Sequence, residues 1–98
     1  MAIRKVQVDL EDRLAKLFGS VSRARILSFL LANSGMNFYQ REIMFETGLS
    51  LQPAQRELRN LVDLGILNKK QTHNRVYYEI NTLSPLFKPL SLIFNFKN

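Results

Sequence analysis

Gln52, Gln55, Arg56 and Arg59 fall on one side of a helical projection, with Ala54, Leu58 and Leu61 on the other. Planar amides and guanidinium groups in such a row suit paired hydrogen bonding to flat polar edges: glutamine to adenine, arginine to guanine. Asp63 ends the same row. A second polar group follows in Lys69, Lys70, His73, Asn74 and Arg75, side chains of the kind that meet phosphate and carry little base information. Between Ser50 and Arg75 five basic residues (Arg56, Arg59, Lys69, Lys70, Arg75) stand against two acidic ones, Glu57 and Asp63. Arg41, with the amides of Tyr39 and Gln40, opens an earlier helix where a phosphate is readily held. Simple helix capping is the other reading of that position. A charge stripe alone also fits a solvated helix face, so the row gains meaning only from the elements around it.

Other chemistry finds little support. The sequence has no cysteine, which removes disulfides, thiolate metal ligands and thiol nucleophiles. Its single histidine, His73, reads as a turn residue or phosphate neighbour, because no carboxylate or nucleophile stands beside it to make it a catalytic base. Glu42 and Glu46 are one helical turn apart but have no partner cluster, and read as an exposed face. Phe45 falls between inward positions, as a partner contact or as the edge of a core. No metal or cofactor is expected, and no enzymatic activity.

Ninety-eight residues, 46% of them apolar, suffice for one compact domain, since a chain of this size buries roughly two-thirds of its unfolded surface. The formal charge of +6 favours anionic partners. The first residues, Met1 to Asp12, lack the apolar core of a signal peptide, and the apolar runs are too short to span a bilayer. A soluble protein of the cytoplasm is expected, without membrane attachment.

The elements that must position the polar rows follow from periodicity. Leu10, Leu14, Leu17 and Phe18 mark a first helix stopped by Gly19; Ser20 caps a second carrying Val21, Ile26, Leu27, Phe29, Leu30 and Leu31. Met36 to Tyr39 suggests a short strand, and Gln40 to Thr47 a third helix broken by Gly48. Ser50 caps a fourth helix, about 50–64, with Pro53 in its first turn and Gly65 at its close. Two strands, Ile66 to Gln71 and Arg75 to Asn81, then form a hairpin over 66–81, joined by Thr72, His73 and Asn74. In the second strand Val76, Tyr78 and Ile80 share the core face. The core spans about 10–82, and an apolar tail, 83–96, follows. The fold class is mainly α (α+β): a three-helix core, a two-stranded hairpin and flanking helices at both ends.

The order helix, helix, strand, helix, tight turn, helix, hairpin matches a helix-turn-helix with a wing. Residues Arg41 to Leu67, with the Gly48-Leu49-Ser50 turn, Leu58, Leu61 and Gly65-Ile66-Leu67, closely resemble winged-helix transcriptional regulators of the arsenical-repressor-like (ArsR-like) group. The Asn74-Arg75-Val76-Tyr77-Tyr78 run resembles their wing, and Phe18-Gly19-Ser20 with Arg23 to Leu27 the approach to their core helix. The resemblance covers about residues 10–82 and implies a winged helix-turn-helix that regulates transcription. Metal-sensing members carry a cysteine motif that this chain lacks, so the resemblance implies no metal sensor.

The function expected is sequence-specific binding of double-stranded DNA. The fourth helix would lie in the major groove, with Ser50, Gln52, Pro53, Gln55, Arg56 and Arg59 at the DNA, and the wing on the backbone. A winged-helix module docking a partner protein or enzyme is the alternative, and RNA binding a third reading. A homodimer is expected, because Leu10, Leu14, Leu17, Phe18, Leu86, Phe87, Leu90, Ile93 and Phe94 look like more apolar surface than one small core absorbs. The competing reading is that the tail completes the monomer core.

Overall fold

A computed structural model describes residues 12–95. Helix α1 covers residues 12–18 and is followed by α2 (Val21–Ala32), β1 (Phe38–Tyr39), α3 (Gln40–Thr47), α4 (Leu51–Asp63), β2 (Leu67–Thr72), β3 (Arg75–Ile80) and α5 (Phe87–Ile93). Among the described residues no helix is long and apolar enough to cross a membrane.

Local chemistry accounts for most boundaries. Ser20 caps α2 as expected, its Oγ accepting the Arg23 amide at 3.0 Å. Gly48 ends α3 at φ 70°, in the left-handed region where a side chain is costly. Gly65 (φ 76°) ends α4: its amide bonds the Val62 carbonyl at 2.9 Å and the Ile66 amide the Leu61 carbonyl at 3.0 Å, the paired bonds of a Schellman stop. Ser50 departs from expectation. It holds the N-cap position, but its side chain makes no capping bond, because the third helical residue is Pro53, which has no amide hydrogen to give.

Helices α2, α3 and α4 pack around Ile26, Leu27, Leu30, Ile43, Leu58 and Leu61, all essentially without exposed surface. Ala54 is buried with them, so the stripe expected on α4 does face inward. Strand β3 is central, pairing antiparallel with β1 (Phe38↔Tyr78, Tyr39↔Tyr77) and with β2 from Leu67↔Ile80 to Thr72↔Arg75. Tyr78 and Ile80 turn to the core and Val76 is half-buried on the same side. The connection is the dipeptide His73-Asn74, one residue tighter than expected, with His73 at φ 54°.

The first helix and the tail correct one expectation. Leu14, Leu90 and Phe94 are buried in the chain's own core, and Phe18 and Phe87 pack against it. The Phe18 and Phe94 rings stack at 5.5 Å and tie α1 to the C-terminal segment. Much of the apolar set is thus absorbed within one chain, while Leu17, Leu86 and Ile93 remain exposed. Leu10 lies outside the described residues. Val21, expected on the buried face of α2, is exposed in its first turn.

Candidate nucleic-acid interface

Burial of Ala54, Leu58 and Leu61 fixes the rotation of α4 and leaves Gln52, Gln55, Arg56, Arg59 and Asp63 exposed along it, with Ser50 exposed at its start and Pro53 half-buried. Glu57 does not share that outer face. It is 4% exposed and pairs with Arg23 of α2 through the guanidinium Nε. Its spacing was the available signal: positions 54, 57, 58 and 61 lie on one helical stripe. With Glu57 turned inward and neutralised, the outward acidic side chain of α4 is Asp63.

Gln55 and Arg59, one turn apart, form a wall of a cleft of about 420 Å³ whose far side is Lys69, Val76 and Tyr78 of the hairpin. Burial raises the Tyr78 hydroxyl above the ordinary phenol range, and the positive charge of Arg59 opposes the shift. Cations from helix and wing, Arg59 and Lys69, therefore share one gap with the Asp63 carboxylate.

The two wing lysines separate. Lys69 is opposite Tyr78 and lines the cleft; Lys70 is opposite Tyr77 on the other face and pairs with Glu79 at 3.1 Å. Glu79 also accepts from the Asn68 amide group at 3.4 Å. Strand alternation requires this split, and treating Lys69 and Lys70 as one basic pair overlooked it.

Arg75 is engaged by an aromatic group. Its Nη1 donates to Tyr39 Oη at 2.6 Å, its guanidinium carbon stands 5.7 Å from the centre of the Tyr39 ring, and that ring stacks on Tyr77 at 4.5 Å. The two tyrosine hydroxyls are 2.9 Å apart. The pairing of β1 with β3 brings Tyr39 and Tyr77 side by side, a non-local contact without a local sequence signal. His73 and Asn74 are exposed at the hairpin tip, and Arg41 is exposed beside it at the start of α3. There Glu42, read in the sequence as an exposed face, accepts the Tyr39 amide at 2.8 Å and caps the helix. Phe45 is 84% exposed.

A three-helix core whose last two helices are joined by a tight glycine turn, followed by a hairpin whose central strand pairs back onto the strand before them, is a winged helix-turn-helix. A crystal structure of what is described as a predicted DNA-binding transcriptional regulator from E. coli has the same fold: TM-score 0.63, covering 97% of this chain and 96% of that one, at 21% identity. No family model and no curated protein matches the sequence.

Proposed function

We propose that the chain is a sequence-specific double-stranded DNA-binding transcriptional regulator, with α4 in the major groove and the β2–β3 wing on the backbone. The observation that carries this is the outward row Gln52, Gln55 and Arg56 in the first half of α4, the end that enters the groove in helix-turn-helix proteins. The cleft cations Arg59 and Lys69 supply phosphate contacts beside it. The fold neighbour's description as a DNA-binding regulator supports the same reading. We place the chain nearest the ArsR-like group on its turn and wing residues, without the metal-sensing motif, and read it as a cytoplasmic binding protein and not as an enzyme.

The second reading, a module that docks a partner protein, is favoured by the exposed Phe45 and by Leu83 and Leu92 in the tail, which are 91% and 75% exposed. Titration of the whole chain against duplex DNA and duplex RNA at two salt concentrations separates the readings. Preference for DNA that falls steeply with salt supports the first. Failure to retain duplex DNA at low salt sinks it.

A further inference from the structure

Between the start of α3 and the tip of the wing lies a cavity of about 430 Å³ lined by Tyr39, Gln40, Arg41, Asn74, Arg75 and Val76. Two guanidinium groups and a phenol supply its ionisable lining, and no carboxylate does. The nearby Glu42 is taken up by the Tyr39 amide, and the wing's Glu79 by Lys70. We propose that Tyr39, Arg41 and Arg75 form one seat for a single phosphate group, with the Tyr39 hydroxyl donating directly to it. This deepens the DNA reading given above and rests on it for the source of the phosphate, a backbone group of the bound duplex.

The hydroxyl pair gives Tyr39 its role. Arg75 has no acceptor in its guanidinium, so it donates to Tyr39 Oη. Tyr39's hydroxyl is held below the usual phenol range by its bond to Tyr77 and then by Arg75, whereas the same hydroxyl bond is the main cause of the rise at Tyr77. Either hydroxyl of the pair can donate to the other. With Arg75 donating to it, and Tyr77 donating as well, the Tyr39 oxygen accepts from both neighbours and keeps its own proton to offer, for which an anion is the natural acceptor. Arg75 spends one donor on Tyr39 and is held over the ring, which leaves the rest of its fork to the same anion. Arg41 lines the same cavity. Phosphate, with several acceptor oxygens, matches several donors around one cavity.

The test is salt-dependent binding of the full chain to a labelled duplex, for the wild type and for Tyr39→Phe, Tyr77→Phe, Arg41→Ala, Arg75→Ala and the double arginine variant, each shown folded by its thermal melt. Tyr39→Phe should weaken binding roughly tenfold, as expected for a lost hydrogen bond to a charged group, and Tyr77→Phe far less. Equal losses in the two would make Tyr39 a mere support and overturn its role as donor. Because Arg41 and Arg75 share one phosphate, the double variant should lower the slope of log affinity against log salt by about 0.9, not about 1.8. A fall of two contacts, or an unchanged slope in every variant while the wild type binds steeply, overturns the seat and leaves the DNA reading intact. A parallel titration with inorganic phosphate, followed by NMR, separates the sources. Saturable shifts at Tyr39 and Arg75 that disappear in Tyr39→Phe and Arg75→Ala would support the seat even if duplex DNA is not bound. Absence of both duplex binding and phosphate shifts would defeat the seat together with the DNA reading.

Discussion

Arg23 of α2 and Glu57 of α4 form an ion pair inside the three-helix core, the glutamate side chain 6% and the arginine 30% exposed. Removing either partner of such a pair strands a charge. Arg23→Ala should therefore cost about 4 kcal/mol of stability and Glu57→Ala about 3, less because Arg23 can turn to water. The joint change Arg23→Met with Glu57→Leu should return to within about 1 kcal/mol of the wild type. Thermal unfolding of the four proteins closes the cycle. Additive losses would mean that the two side chains do not act on each other.

Base reading by α4 predicts a split along one helix. Gln55→Ala and Arg56→Ala should each relax one position of the preferred site by roughly 1–3 kcal/mol. Arg59→Ala, in the cleft toward the wing, should weaken all duplexes alike. Site selection from random duplexes with each folded variant decides this. Unchanged preference in both Gln55→Ala and Arg56→Ala would shift the balance to the protein-docking reading.

The two wing lysines should differ. Lys69→Ala should lower the salt slope by about one contact, because Lys69 faces the cleft. Lys70→Ala should do less, its charge being offset by Glu79. Equal slopes for the two variants contradict this assignment.

A homodimer through the surface left over at the two ends of the chain is the fourth expectation. Leu17 and Ile93 are 67% and 45% exposed, so the joint change to Glu should convert a dimer to a monomer in sedimentation at micromolar concentration, with little effect on the melt. Phe94→Ala, by contrast, should cost about 3–5 kcal/mol in either state, since Phe94 belongs to the core. A wild-type chain that sediments as a monomer ends the dimer reading.

Local rules carried the sequence reading a long way. Helix α3 has the expected bounds, Gln40–Thr47, because Gly48 stops it, and α4 turns its expected stripe inward because Ala54, Leu58 and Leu61 recur at helical period. The first hairpin strand runs one residue further, to Thr72, because the turn is two residues long and Thr72 pairs with Arg75, while the second starts at Arg75 as expected. What escaped depended on distant neighbours. Arg75 could not be assigned to Tyr39 before β1 was seen to pair with β3, and Ser50 failed as a side-chain cap through the imino nitrogen of Pro53. Glu57 was legible in principle, yet counting charge over a segment hid the face on which it lies. The tail residues divided between core and surface through the stacking of Phe94 on Phe18 and the burial of Leu90, which no periodicity specifies.

Strand β2 occupies the outer position of the sheet order β1-β3-β2 and is exposed from Lys69 to Thr72. An unpaired strand border of this kind is a template on which further chains can add, and lysines are among the residues that discourage it. The side chains that serve as wing cations therefore also keep the sheet from growing. Replacing Lys69 and Lys70 together with apolar residues would do more than weaken binding to an anion: it would leave a bare, uncharged border, and self-association through strand addition should rise with protein concentration.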